Sequence, residues 1–546
     1  MDGSAKPAAA DGAATGATTI ATTGALAPFR YPAFIVLWTA TVISNIGTWM
    51  HDVAAGWLMT SLSPSPFMVA LVQTATTLPV FLFSLPAGAL ADIVDRRRLL
   101  IVVQAVMIVA AGTLGLLVLA GRVTPLTLLC FTFVMGSCAA FVAPAWQAIV
   151  PKLVERRDLR PAVALNSVGI NVSRAIGPAL AGVVIAAVGI WAPFFLNTLS
   201  FIVVVAALIW WHPPAAAART LPPERFVGAL RAGLRYVRAS GPMRATLVRA
   251  VAFFLFASAY WAMLPLIARD LLGGGPMLYG VLLGCVGVGA VSGAVLLPRL
   301  NAILGPDRLV AAGTLGTAAT LLVFALVRDP YAAGFMSLVA GASWIAVLSS
   351  LNVSAQTALP DWVRARGLSV FVTVFFGAMS AGSLIWGQAA AHLGIPAALV
   401  MAAAGAVAAI PLTFRWKLGL GETLDHAPSA HWPAPVVDES VTQDRGPVLV
   451  TVEYRIEPAS AAAFVAAMDA LEGERRRDGA HAWGLFEDTT EPGRYLEYFL
   501  VASWLEHQRQ HERVTRSDAD LQAAAHAFHV APDRPVVRHF IAPVRG

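Results

Sequence analysis

Between residues 33 and 414, apolar stretches follow one another, and charged residues fall mostly in the gaps between them. Stretches of about 20 residues at 1.5 Å per residue match a hydrocarbon core about 30 Å thick. Nothing in that core can satisfy a bare peptide group, so each stretch must cross as a helix. The pattern predicts twelve spans, at 33–60, 67–91, 99–120, 124–148, 162–189, 192–211, 245–269, 277–297, 309–327, 332–357, 367–392 and 395–414. Only 13% of the 546 residues are charged, against about a quarter in soluble domains. Residues 415–546 have ordinary composition, so a soluble part is expected to follow the membrane part.

Basic residues retained in short gaps face the cytoplasm. One set of gaps holds Arg96, Arg97, Arg98, Lys152, Arg156, Arg157, Arg160, Arg299, Arg308, Arg364 and Arg366. The middle gap on the same side adds Arg219, Arg225, Arg231, Arg235, Arg238 and Arg244, whereas the opposite gaps hold only Arg122, Arg269 and Arg328. The expected layout places the first side and both termini in the cytoplasm of an inner-membrane protein. The net charge of +6 is accounted for by this topology and calls for no nucleic-acid partner. Cys130, Cys138 and Cys285 lie inside apolar spans and read as packing residues. Residues 1–30 lack the charged start and apolar core of a signal peptide and are expected to form a disordered tail.

The expected organisation is a six-helix bundle over 31–211, a central cytoplasmic loop over 212–244 and a second six-helix bundle over 245–414. A linker over 415–446 and a domain over 447–546 follow. In the central loop, Phe226, Leu230, Leu234 and Val237 alternate with Arg225, Arg231, Arg235 and Arg238. That helical spacing suits either a helix lying on the anionic leaflet or a solvated linker helix. A shift of 205 residues pairs Gly88 with Gly293, Gly136 with Gly341, Gly177 with Gly382, Gly182 with Gly387 and Gly189 with Gly394. Parallel repeats of this kind place a substrate path between two halves.

The motif from Gly88 to Leu100 contains Asp92, Asp95 and Arg96-Arg97-Arg98 on the turn between spans 2 and 3. It resembles the loop 2–3 signature of the major facilitator superfamily, with Asp95 where that pattern prefers Gly. Gly88 would allow close helix approach. Asp92 could pair with Arg96 and face the positive end of a neighbouring helix. The resemblance implies that this neighbour is span 11, beginning near Gly367. Gly88, Asp92, Arg96 and Arg97 then form a latch favouring one of two alternating-access states; the plainer reading is a solvated turn.

A second region runs from Pro144-Ala145 through Pro151, Leu153-Val154 and Leu165-Asn166-Ser167 to Asn171, Arg174, Gly177-Pro178 and Gly182. Together with Ser44-Asn45, Gly47, Trp49, Trp57-Leu58 and Ser65-Pro66, it resembles the drug and siderophore exporter branch of that superfamily over residues 30 to about 415. Pro178 removes a mid-helix hydrogen bond and bends its helix. Gly177, Pro178 and Gly182 resemble the helix 5 motif associated with export.

Charges at membrane depth normally face a cavity and a partner. Asp52, far along span 1, is the leading proton carrier, against a reading in which it is solvated at the helix end. Arg174, near mid-membrane in span 5, either orients substrate or balances Asp52, or serves helix carbonyls. Drug exporters often carry an arginine in span 4; Thr124–Val150 has none, so their proton route does not transfer. Asn45, Trp49, Asn171, Trp146, Gln147 and Gln356 are candidate cavity linings, although each alone is more often interhelical glue.

Beyond the linker, Val448–Arg455 alternates as a strand and Pro458–Arg477 reads as a helix. His481–Glu487 and Tyr495–Val501 read as strands, Ser503 as a helix cap, and Val536–Ile541 as a last strand. The β-α-β-β-α-β order is ferredoxin-like and resembles antibiotic-biosynthesis-monooxygenase modules, which are dimeric. His507 and His511 are expected on a solvated helix face, with no zinc pattern, so a binding or self-associating module is expected rather than an enzyme. The whole reads as a fold of all-α polytopic type plus a small α+β domain. Its expected activity is proton-coupled export of amphipathic small molecules from a lipid bilayer. Import by the same fold, or a tail with oxidative activity, are the alternatives. No cofactor, metal or catalytic residue is expected.

Overall fold

The computed structural model describes residues 24–212, 226–419, 421, 424, 425, 429, 445–530 and 532–543; the side chains of 89, 91–93, 156, 226–232 and 512 lie outside that description. Most of the expected N-terminal tail, 1–23, also lies outside it.

Eleven helices among the described residues are long and apolar enough to cross a membrane. They are α1 (Pro32–Leu62), α2 (Pro66–Ile93), α3 (Arg96–Leu119), α4 (Pro125–Gln147), α5 (Leu159–Ala187), α6 (Ala192–Trp210), α8 (Gly241–Leu266, prolonged to Leu271 by one π-type turn), α9 (Pro276–Leu326), α10 (Pro330–Thr357), α11 (Arg364–Leu393) and α12 (Ile395–Thr413). Gly305, at φ 70°, breaks the 51-residue α9 into two spans, α9a (276–304) and α9b (306–326), which makes twelve crossings. Only glycine adopts that backbone region freely, and Pro306 then opens the next span.

Helix starts follow from local chemistry. Proline occupies the first turn of α1, α2, α4, α6, α8, α9, α10 and α12, where its missing N–H costs nothing and its fixed φ already suits a helix. Side-chain caps close other ends: the Arg98 N–H donates to Asp95 (2.8 Å) and the Ala332 N–H to Asp329 (2.7 Å). Asp95 is the N-cap of α3.

The glycine repeat corresponds to equivalent places. A Cβ on Gly136 would lie 2.7 Å from Thr76 O of α2, and Gly341 of α10 packs in the same way on Val286 of α9a. Gly177 packs on Trp49 of α1 and Gly382 on Leu255 and Ser258 of α8. Gly182 meets α9a and Gly387 meets α2, so both cross between halves. Gly189 and Gly394 both take positive φ, 123° and 86°, where a helix ends. The fifth pair differs. Gly293 packs on Ala342, but nothing lies within 4 Å of a Cβ at Gly88.

The tail domain is a four-stranded antiparallel sheet, order β2-β3-β1-β4, with β1 (Val448–Arg455), β2 (Ala482–Glu487), β3 (Arg494–Val501) and β4 (Val536–Ile541). Helices α13 (Ala461–Asp478), α14 (Trp504–Arg513) and α15 (Arg516–His526) accompany it. Inward residues Val452, Tyr454 and Tyr495 pack on Phe464, Met468 and Leu471 of α13. Buried Glu497 accepts from Arg475 Nε (3.0 Å), Trp483 Nε1 (3.1 Å) and Tyr454 Oη (3.0 Å), so its charge is fully satisfied. Sequence reading missed α15, whose start is a capping box of Thr515 and Asp518.

Helix α7 (Phe226–Ala239) forms in the central loop. Its described residues are mixed, with Arg238 exposed. Tyr236 and Val237 are buried, the Tyr236 hydroxyl donates to Ala358 O (3.1 Å), and Arg235 pairs with Glu506 of α14 (3.1 Å).

Candidate substrate path

The Arg-rich ends of the helices define a basic face, and the opposite ends an Arg-poor face. The two halves touch at the Arg-poor end. A Cβ on Gly182 would lie 3.0 Å from Pro276 O, and one on Gly280 would lie 2.6 Å from Pro178 O, so α5 and α9a cross backbone to backbone. Trp57 of α1 stacks on Tyr279 of α9a, with centroids 6.2 Å apart. Arg269, beyond α8, pairs with Asp270 and donates to Thr60 O at the end of α1. The motif glycines therefore divide the work: Gly177 fits Trp49 within one half, and Gly182 fits the opposite half.

Along α2 and α11 the contact continues through Gly387 on Ala70, Gly377 on Phe81, and Ser84 with Thr373 (2.7 Å). It ends at Gly88, where no described atom lies within 4 Å of the place of a Cβ. The expected close approach at Gly88 is thus not made, and the halves diverge toward the basic face. The Asp92 side chain lies outside the described residues. Arg97 donates to Leu208 O (2.7 Å) and Ile209 O (2.8 Å), and so closes the end of α6 in its own half. Arg96 reaches Ala148 O only at 3.5 Å, the limit of a hydrogen bond.

One membrane-depth charge stands over an aromatic ring, and a second lies a helical turn away along α1. The Arg174 guanidinium lies 5.8 Å from the Trp49 ring centroid. Asp52 follows Trp49 by three residues, which places both on one face of α1. Among the described residues no hydrogen bond or ion pair reaches either charge. Arg174 stands about 22 Å along α5, close to its middle. Next to Asp52, His51 is fully buried edge-on against Phe194 (4.8 Å), and neither ring nitrogen has a partner.

The other expected linings separate. Trp49 and Asn45 are half-buried on α1. Asn171 donates to Ser167 O in its own helix (2.9 Å). Gln147 is exposed at the basic end of α4, and Gln356 is exposed on α10 and donates to Asn352 (3.2 Å). Buried Trp146 donates to Asn166 Oδ1 (3.0 Å) and clamps α4 to α5.

Sequence reading missed Arg249 of α8, whose side chain is 2% exposed and pairs with Asp307 at 2.5 Å. It also donates to Trp416 O (3.2 Å), while Asp307 accepts from the Leu418 N–H (3.2 Å). The signal was available, since Arg249 falls inside the apolar span 245–269 and a charge there needs a partner. In the tail, His507 is 1% exposed and not solvated as expected. Its ring lies 4.8 Å from that of His511 and 4.7 Å from that of His539 on β4. Glu474, Asp478 and Asp518 form a buried acidic group, but Arg477 already pairs with Asp478 (3.1 Å) and Asp518 (2.6 Å).

Twelve helices in two repeats, crossing at α5/α9a and α2/α11, form the multi-pass membrane fold of the major facilitator superfamily. Within it, the chain belongs to the transmembrane secretion effector family, which it matches over residues 23–545. It is 22% identical to the staphyloferrin A transporter of Staphylococcus aureus over 264 residues, 48% of this chain and 65% of that one. It is 25% identical to an enterobactin exporter of Salmonella typhimurium, covering 62% of this chain and 80% of the exporter. A multidrug efflux pump of Mycobacterium tuberculosis is 25% identical over 38% of this chain and 51% of its own length. The chain thus spans between half and four fifths of these relatives. The fold matches that of a nucleoside transporter (TM-score 0.61, 9% identity, 70% of this chain and 99% of that one). It also matches a bacterial homologue of the lysosomal transporter Spinster (TM-score 0.55, 14% identity, 70% and 96%).

Proposed function

We propose that the chain exports an amphipathic small molecule, siderophore-like or drug-like, by alternating access driven by proton entry. The observation that carries this reading is Arg174 over the Trp49 ring at membrane depth, with Asp52 one turn along the same helix and neither charge in an ion pair among the described residues. A carboxylate there can take a proton from one side and release it when the path opens to the other. The Arg174 guanidinium would attract an anionic substrate. Export relatives that handle siderophores and drugs support the substrate class.

In this reading the basic face, with both termini and the tail, is cytoplasmic, by the distribution of Arg and Lys. The structure is then the inward-open state, closed outside at Gly182 and Gly280. Asp92 and Arg96 remain the proposed latch of the opposite state, to be made when α11 swings toward Gly88.

The test is uptake of ethidium and of a catecholate siderophore by everted vesicles holding the full chain under an imposed pH gradient. Gradient-dependent uptake is expected. Uptake only into right-side-out vesicles would establish import, and transport insensitive to the gradient would remove proton coupling.

We also read the tail as a self-associating module rather than an enzyme. Leu449, Leu500, Tyr498, Leu496, Phe486 and Phe540 share the sheet face opposite the helices. Phe486 (59% exposed) stacks on Tyr498 with centroids 5.6 Å apart. A polar-rimmed apolar face of this kind marks an interface. Light scattering of the full chain in detergent should give a dimer that Phe486→Glu splits; a monomeric wild-type chain would reject this.

A further inference from the structure

We infer that the tail domain is a conformational clamp on the start of α11. Docked as here, it holds the basic face open, and it must release Trp362 before that face can close. The inference rests on the alternating-access reading above.

The clamp is built from three arginines and two rings. Arg513, at the end of α14, is 6% exposed, bonds Glu506 (2.7 Å) and lies 4.5 Å from the Trp362 ring centroid. Trp362 belongs to the short turn between α10 and α11, two residues before α11 begins. Its ring meets Tyr236 of α7 edge to face, 5.8 Å and 86°. Arg477, at the end of α13, stands 5.6 Å from the other ring, Tyr236. Arg235 of α7 completes the set on Glu506 (3.1 Å). One carboxylate of the tail is thereby shared between an arginine of the tail and an arginine of the transporter.

A second attachment starts from α12. Leu418 is held by Asp307, and a Cβ on Gly421 would lie 2.7 Å from the Thr357 carbonyl carbon and the Ala358 amide. Further on, Ser429 N–H donates to Val514 O (3.0 Å) and Asp425 N–H to the Ser517 hydroxyl (2.7 Å). The described residues after α12 therefore lie first beside the end of α10, at Gly421, and then against the tail next to Arg513, at Asp425 and Ser429. This strap keeps the tail close whether or not the clamp is made, so redocking is an intramolecular event at high effective concentration.

The chemistry of the contact suits repeated release. Its centre is cation–ring and ion-pair contact rather than a continuous apolar surface, as in domain interfaces that open. Among the described residues it also leaves the buried Arg235 Nε and Trp362 Nε1 without hydrogen-bond partners. Unmade bonds of this sort lower the cost of separation, because water satisfies both donors once the domains part. The position is what gives the clamp leverage. The first turn of α11 is the element that must approach Gly88 for the basic face to shut, and it is held two residues away.

The test uses the full chain with Cys130, Cys138 and Cys285 replaced by serine. In Arg235→Cys/Glu506→Cys, a bis-methanethiosulfonate linker ties tail to α7, and reductant releases it. Tied protein should move ethidium in everted vesicles at less than a tenth of the released rate. Equal rates would overturn the inference, and silence in both states would point to the transport reading instead. A second measurement needs no substrate. With a Gln147→Cys reporter on the basic face, maleimide labelling should slow severalfold when Arg513→Ala and Trp362→Ala undock the tail. Unchanged labelling in a variant of unchanged melting temperature would also overturn it.

Discussion

Arg174 of α5 lies over the Trp49 ring of α1 at 5.8 Å, one helical turn from Asp52 on the same helix. Neither charge has a hydrogen-bonding or ion-pair partner among the described residues. Asp52→Asn keeps the shape and removes the titration. It should lower gradient-driven uptake at least about tenfold, equivalent to about 1.4 kcal/mol, while dye binding by quenching of tryptophan fluorescence persists. Uptake within twofold of wild type would remove Asp52 as the carrier.

The α5/α9a crossing leaves no room for a side chain at Gly280, where a Cβ would lie 2.6 Å from Pro178 O. Gly280→Val should force the Arg-poor ends apart. A cysteine at Tyr279 would then label from the Arg-poor side several times faster than in the Gly280 background. Transport should fall in the same variant, since the closed state of that side costs about 1–3 kcal/mol more when overpacked.

Arg249 and Asp307 form a buried pair joining α8, α9b and the segment after α12. Asp307→Ala strands the guanidinium and should destabilise the bundle by about 3 kcal/mol. The double variant Arg249→Leu/Asp307→Leu should recover much of that loss, because no unpaired charge remains. Thermal unfolding in detergent, followed by tryptophan fluorescence, measures both.

The tail should be most stable between about pH 4.5 and 6.5, where two opposed titrations balance. Burial, with His539 and His511 facing it, pushes the His507 imidazole down to about 3. The unfolded chain binds that proton near 6.5, so stability falls as the pH drops from about 6.5 toward 3. Burial also pushes the Glu474 carboxyl up to about 8, with Asp478 and Asp518 adding to the effect and Arg475 opposing it. Its native form is therefore the neutral acid, and stability falls as the pH rises from about 4.5 to 8. His507→Phe should flatten the acid limb and Glu474→Gln the alkaline limb, each by about 1–3 kcal/mol. Melting of the full chain between pH 4 and 9 checks both.

Hydrophobic spacing and helix punctuation were enough to read twelve crossings, the soluble tail and strands such as Val448–Arg455 and Val536–Ile541. The reason is physical. A bilayer demands about 20 apolar residues per helix, and a half-buried strand demands alternation, so both leave a periodic record in the chain itself. The paired glycines were legible too, because close helix crossings exclude any other side chain. Tertiary structure decided the rest. Which charges remain unpaired, that Arg97 closes α6, that His507 is buried against His539, and that α7 serves as a joint between tail and transporter all depend on neighbours more than 30 residues away. A residue's type records what it can bond, whereas its partner is set only when distant elements are packed together.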